Sequence, residues 1–252
     1  MDDLKIITSA AFAGLAQITT GHPFDTVKIR YIKNRHKYSR VMGCVRQIRS
    51  EGYGRFYRGV TSPIIGSVIM NIQTFYLYSL FNRYFHDDPF ISGSLTGATL
   101  SLIESPTDLI KSRLQIDSGL NYRTAIRQIG MRNIYKGLGI TALRNIFSVG
   151  FFFWGYDKVK NLYENRYTGA FVGGAAAGFL CWGPVYPLDN IKTRLQTDTT
   201  HQYKGILDCV KKVYRKQGFR GFWNGFTPCI TRGVFVNPFV FLAYEIGIKY
   251  FQ

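Results

Sequence analysis

Acidic residues are scarce in this chain: 15 Asp and Glu stand against 32 Lys and Arg in 252 residues, a formal net charge of +17. Histidine and cysteine are scarcer still, four of each. His22, His36, His86 and His201 are scattered without ligand spacing, and Cys44, Cys181, Cys209 and Cys229 form no Cys-x-x-Cys pair. Neither a zinc site nor a disulfide framework is encoded, and the thiols are expected to be free. No Ser-His-Asp arrangement and no glycine-rich phosphate loop occurs, so no catalytic residue, metal or cofactor is expected. A cleavable signal with a small-residue cleavage site is also lacking; the first apolar stretch begins almost at Met1, and targeting would be internal.

A long charge-free apolar run is missing as well, and mean hydropathy lies near zero. That average conceals a pattern. Apolar and aromatic residues gather in windows around 4–33, 60–84, 90–116, 138–162, 168–196 and 226–250, each long enough to hold the roughly 20 to 25 residues that a helix needs to cross a bilayer. Each odd-numbered window ends in Asp, Lys and Arg. Charge at membrane depth is tolerated where it faces a bundle interior or a watery path, and such residues are functional candidates. A soluble helical repeat protein would have to hide Phe151-Phe152-Phe153-Trp154 in a core.

The excess of positive charge raises nucleic acid as a partner. Between Lys28 and Arg58 ten Lys or Arg meet one acid, Glu51. These residues recur beside the apolar windows, however, and no zinc spacing or RNP-like strand accompanies them. Anionic lipid headgroups fit better, and nucleic acid is not expected as a partner.

One octapeptide recurs three times: Pro23-Phe24-Asp25-Thr26-Val27-Lys28-Ile29-Arg30, Pro106-Thr107-Asp108-Leu109-Ile110-Lys111-Ser112-Arg113 and Pro187-Leu188-Asp189-Asn190-Ile191-Lys192-Thr193-Arg194. The prolines stand 83 and 81 residues apart, which divides the chain into three repeats, expected at 1–88, 89–166 and 167–252. A second signature follows each first one: Glu51-Gly52 with Tyr57-Arg58-Gly59, Gly130 with Tyr135-Lys136-Gly137, and Gly218 with Trp223-Asn224-Gly225. Each repeat reads as a long helix, a basic amphipathic stretch and a second long helix. In the third, Ile206, Leu207, Val210, Val213 and Tyr214 recur at helical spacing after Tyr203-Lys204-Gly205, and Gly218 ends the stretch. Small residues four apart, Ala10 and Gly14, Gly93 and Gly97, Gly174 and Gly178, are expected where helices pack closely. The signature prolines are expected to kink or break their helices.

At these residues the chain resembles the mitochondrial carrier family, whose hallmark is Pro-x-Asp/Glu-x-x-Lys/Arg-x-Lys/Arg, then an acidic-Gly segment and an aromatic-basic-Gly end. The resemblance covers essentially the whole chain. It departs at Ile129 and Gln217, where an acid is missing before the glycine, and at Asn224, which replaces a basic residue. The likeness implies an all-α membrane protein: three homologous repeats of about 84 residues, six transmembrane helices around a central cavity, and short amphipathic helices on the matrix side.

By the same likeness Asp25 would pair with Lys111, Asp108 with Lys192 and Asp189 with Lys28, closing a matrix gate. Gln115 and Gln196 would brace it, with Ile32 at the equivalent place in the first repeat. On the cytosolic side only Tyr156-Asp157-Lys158-Val159-Lys160 fits the gate pattern fully. Glu245 has Ile248 at the basic position, and Tyr78 is followed by Ser79 and Asn82, so a loosely closed gate built on Asp157, Lys160 and Glu245 is expected. Substrate would meet Arg144, Asn145 and Arg232, with Met70, Asn71 and Gln73 near the first contact point. Membrane lipid, cardiolipin above all, would bind at Arg58, Gly59, Lys136, Gly137, Tyr203 and Gly205. A functional monomer suffices.

A cavity arginine with no obvious acid beside it points to an anionic group on a small-molecule substrate, because guanidinium grips carboxylate or phosphate with two donors. The motifs around Pro63, Arg144 and Arg232 are similar to the acylcarnitine and basic amino-acid (ornithine-type) branch. That branch has an acid directly after its second-point arginine, where this chain has Asn145, and an ornithine-type carrier would present an acid at Met70. Arg-Asn resembles instead the oxo-acid and dicarboxylate carriers. The implied substrate is a carboxylate-bearing metabolite, an amino acid or acylcarnitine first and an oxo or dicarboxylic acid second, exchanged across the mitochondrial inner membrane. Alternatives are a nucleotide carrier, a proton-leak carrier that relays through Glu104, and a non-transporting membrane scaffold.

Overall fold

The computed structural model describes residues 3–33, 41–57, 60–85, 88–116, 122–130, 134–135, 137–196, 202–203 and 205–250. Among them the regular structure is helical, without a strand. The first repeat folds as α1 (Asp3–Lys33), α2 (Val41–Ser50), a 3-10 turn at Tyr53–Tyr57 and α3 (Thr61–Tyr84). The second gives α4 (Pro89–Ile116), α5 (Tyr122–Ile129) and α6 (Leu138–Lys160). The third gives α7 (Arg166–Trp182), α8 (Tyr186–Gln196), α9 (Ile206–Gln217), a 3-10 turn at Phe219–Trp223 and α10 (Phe226–Tyr250).

Side chains set the helix ends. Asp88 Oδ1 accepts from the backbone N–H groups of Phe90 and Ile91 at 2.9 and 3.0 Å, capping α4 just before Pro89. Asn165 does the same for α7, accepting from Tyr167 and Thr168 at 2.9 and 3.1 Å. Gly218 stops α9 with φ +63°, its N–H donating to the Tyr214 carbonyl.

The signature prolines act differently in the three repeats. Pro23 and Pro106 lie inside helices that continue past them, whereas the third long helix divides between Trp182 and Tyr186 and bends by 53°. The cause is a second proline. Pro184 follows Gly183; it disfavours helical backbone at that glycine and lacks the N–H that would continue the ladder. Pro187 then falls in the first turn of α8, where no N–H is needed. In α1, Pro23 leaves the Thr19 carbonyl without its usual donor, and the Tyr57 hydroxyl donates to that carbonyl at 3.0 Å. An aromatic of the second signature thus repairs the backbone of the first.

Among the described residues three helices are apolar and long enough to span a membrane: Pro63–Tyr84, Leu138–Lys160 and Cys229–Tyr250. The bent pair Arg166–Trp182 and Tyr186–Leu195 makes a fourth. α1 and α4 match their sequence windows in length, but their charged signatures and polar residues keep them below that apolar standard.

The chain forms two compact units: Met1–Tyr76 with Lys158–Gly178 and Thr231–Gln252, and Leu77–Asp157 with Phe179–Ile230. In the first, α1 crosses α3 so closely that a Cβ on Gly14 would lie 2.7 Å from Val68 Cα. A Cβ on Gly174 would come equally near Asn237 O and Pro238 Cα of α10. Phe75 stacks on Tyr244 with ring centroids 4.2 Å apart. Cys44 and Ile48 bury one face of α2 against Val27 and Phe56, while Arg30 and Glu51 tie the end of α1 to the turn after α2, Nη1 to Oε2 at 2.8 Å.

The second unit repeats this packing. A Cβ on Gly93 of α4 would lie 2.7 Å from the Val149 carbonyl of α6. Tyr78 stacks on Phe153, and Cys209 and Val213 of α9 are buried with Ile140, Ile191 and Phe222. Leu207 and Tyr214, on the apolar face expected for α9, are largely exposed, so the buried stripe is narrower than the sequence suggests.

Candidate functional site

Within the second unit, α4, α6 and α8 bring one cation between two carboxylates. Arg144 Nη2 lies 3.3 Å from Glu104 Oε2, and Nη1 lies 3.7 Å from Asp189 Oδ1. Its Nε is buried with no partner among the described residues. Asn145, next along α6 and 3% exposed, donates Nδ2–H to the same Glu104 oxygen at 2.9 Å. One turn after Glu104, Asp108 accepts from Lys192 at 2.7 Å, a pair that the resemblance implies.

Within the first unit, Arg232 of α10 meets Asp25 of α1, with Nη2 to Oδ2 at 3.2 Å and Nε to Oδ1 at 3.1 Å. Both arginines proposed for substrate therefore touch acids, against the expectation that none stands beside them. The acids come from other helices, and two of them are the signature residues Asp25 and Asp189. Sequence adjacency does not reveal such pairs; Glu104 was visible only as an acid at membrane depth.

Asn71 is 7% exposed, and its Nδ2 donates to Gln17 Oε1 at 2.6 Å and to the Ser67 carbonyl at 2.8 Å. Ser67 Oγ donates to the same Gln17 oxygen at 2.7 Å. Asn71 thus fastens α3 to α1 with both amide hydrogens engaged. Gln17 was not singled out from the sequence; as a long polar side chain within an apolar window, it was the available signal. Met70 is half exposed and Gln73 partly buried.

Toward the C-terminal ends of α6 and α10, Glu245 is 4% exposed and bound by both Lys160 and Arg166, the latter Nε to Oε2 at 2.5 Å. Arg166, which opens α7, was missed because it lies outside the gate pattern at the ends of α3, α6 and α10. Asp157 has no ion pair among the described residues. The side chains of Lys28, Lys111, Gln115 and Gln196, and the residues Arg58, Gly59 and Lys136, lie outside the described set. Gly137 has φ +96°. Tyr203 packs on the α9 core beneath Lys212 Nζ, 6.0 Å from the ring centroid, and Gly205 precedes α9.

The chain matches the family model described as mitochondrial carrier protein three times, over residues 3–89, 88–167 and 163–252. It is similar to a mitochondrial arginine transporter of Arabidopsis thaliana, 32% identical over 96% of this chain and 89% of the relative. A glutamate/glycine mitochondrial carrier of Schizosaccharomyces pombe is 32% identical over 96% of this chain and 92% of its own length. A mitochondrial carnitine/acylcarnitine carrier protein of Mus musculus is 28% identical over 98% and 94% respectively.

Proposed function

The chain belongs to the mitochondrial carrier family, multi-pass proteins of the mitochondrial inner membrane, and on that premise we propose that it exchanges a small carboxylate-bearing metabolite by alternating access. An amino acid or acylcarnitine is the first choice, and an oxo or dicarboxylic acid the second. The names of the relatives favour the first.

The observation that carries this proposal is that the candidate substrate arginines are held by signature acids, Arg232 by Asp25 and Arg144 by Asp189. A guanidinium that turns to a substrate carboxylate releases its acid. The released Asp25 and Asp189 can then pair with signature lysines, as Asp108 pairs with Lys192. Binding and gate closure would share the same charges, and a ligand that favours one conformer in this way shifts the population toward it. Lys160, Arg166 and Glu245 would form the opposing gate, with Asp157 beside it. Basic residues and Tyr203-Lys204-Gly205 would meet anionic lipid, and one monomer would suffice.

The test is uptake into liposomes holding the purified protein, preloaded in turn with amino acids, acylcarnitines, dicarboxylates and nucleotides. Exchange of one carboxylate class, abolished by Arg144→Ala and by Arg232→Ala, is expected. Exchange that survives both substitutions would overturn the assignment of the arginines. Protein that is folded but moves none of these classes would overturn the carrier function.

A further inference from the structure

We propose that Glu104 binds the cationic end of the substrate, so that the transported molecule carries an ammonium as well as a carboxylate. This rests on the carrier function proposed above and narrows it: amino acids and carnitine-type molecules are accepted, whereas oxo acids and dicarboxylates are not.

Charge balance is the first ground. Among the described residues of this unit, Glu104 and Asp189 both face Arg144. The nearby base, Lys192, is committed to Asp108 at 2.7 Å. Two carboxylates thus share one guanidinium. At membrane depth an unmatched carboxylate is costly and marks a functional group. Glu104 is the one of the two that belongs to no signature, so the repeat architecture does not explain it.

The second ground is how loosely Arg144 is held. Its contacts are 3.3 and 3.7 Å, and Nε is buried without a partner among the described residues. Charge-assisted N–H···O bonds lie near 2.7–2.9 Å, so this pair is not at its optimum. A molecule with both charges can enter between the two side chains, giving its carboxylate to Arg144 and its ammonium to Glu104. One slack internal pair is replaced by two pairs with the ligand, and net charge is conserved. Asn145 keeps Glu104 in place through the 2.9 Å bond from its buried amide. A dicarboxylate in the same place would satisfy Arg144 and leave Glu104 facing a like charge.

The acid that the amino-acid branch carries directly after its arginine is thus supplied here from α4. Glu104 Oε2 accepts from the Asn145 amide at 2.9 Å, so a carboxylate stands directly beside position 145 from a different helix.

The experiment compares substrates differing at the amine alone, in liposomes: L-glutamate against 2-oxoglutarate, and L-carnitine against 3-hydroxybutyrate. The wild type is expected to exchange at least one amine-bearing member, and to prefer it over its partner. In Glu104→Gln, KM for that member should rise about 10- to 100-fold, as loss of a charge-assisted bond implies, with preference over the amine-free partner erased. Glu104→Asp should restore part of the preference. A purely structural role for Glu104 would instead lower the maximal rate for every substrate together with thermal stability, and that result would overturn the proposal. A wild type that ignores the amine, or a preference unchanged in Glu104→Gln, would overturn it while leaving the carrier function standing. Failure of all four compounds in protein that exchanges only amine-free carboxylates would overturn the proposal and leave the carrier function standing.

Discussion

Arg232 of α10 donates from Nη2 to Asp25 Oδ2 of α1 at 3.2 Å across 207 residues of sequence, with Nε 3.1 Å from Oδ1 at ion-pair distance. The pair joins the first signature to the helix that carries one of the arginines expected to meet substrate. A group expected to gate and a group expected to bind are therefore in direct competition for each other.

Asp25→Asn should separate these roles. A charge-assisted hydrogen bond contributes about 1.5–3 kcal/mol, so release of Arg232 should lower KM for a carboxylate substrate by about tenfold or more. The maximal exchange rate should fall, because a signature acid is gone. Initial rates against substrate concentration in liposomes decide the matter; an unchanged KM with a reduced rate would show that Arg232 is not limited by Asp25.

The Arg30–Glu51 pair predicts a pH dependence outside the membrane-spanning segments. The hydrogen bond from Arg30, with its charge, holds the Glu51 carboxyl below its ordinary value of 4.5. A carboxyl depressed in the folded state contributes stability that is fully present above the unfolded value and is lost as pH falls through the folded one. Thermal unfolding in detergent should show wild type more stable than Glu51→Gln at pH 7, with the difference shrinking as pH falls below 4.5 and through the depressed folded value. The effect should be small, because the group is exposed and screened. A difference that grew on acidification would contradict the sign.

The windows of apolar residues marked the six long helical stretches to within a few residues, because a bilayer-length run and its flanking charges are local properties of the chain. The break at 183–185 was less legible. Attention falls on Pro187 because it belongs to the repeated signature, whereas Gly183-Pro184, which occurs once, does the breaking. The partners of Arg144 and Arg232 were not legible at all, and for Glu245 the gate pattern offered Lys160 but not Arg166. Spacing along one helix shows which face a charge occupies, but which foreign helix supplies its counter-charge depends on packing between segments far apart in sequence.

Helix crossings through glycine give a steric test. A Cβ on Gly174 would lie 2.7 Å from both Asn237 O and Pro238 Cα, backbone atoms that move only with α10. Gly174→Val should destabilise the protein by about 1–3 kcal/mol. Gly66, on α3, would meet nothing within 4 Å, so Gly66→Ala serves as the matched control and should unfold near the wild-type temperature. Equal melting temperatures for Gly174→Val and wild type would mean that α7 and α10 do not pack this closely.

The last prediction concerns Glu245, a carboxylate 4% exposed and held by two cations, Lys160 from the end of α6 and Arg166 from the start of α7. The sequence pattern supplies no base at Ile248, and Arg166 makes good part of that deficit from outside the pattern. With Lys160 and Arg166 both on the carboxylate, removal of either leaves the other in place, so Arg166→Gln and Lys160→Gln should each lower stability only modestly. Removal of both strips two cations from a buried carboxylate, and breaking a buried ion pair typically costs about 3–5 kcal/mol. The double variant should therefore lose clearly more than the two single losses added together, and replacing Glu245 by Gln in that background should recover part of it. Thermal unfolding of the four variants measures this directly. Additive losses would mean that the two cations act independently and that Glu245 is not the group that couples them.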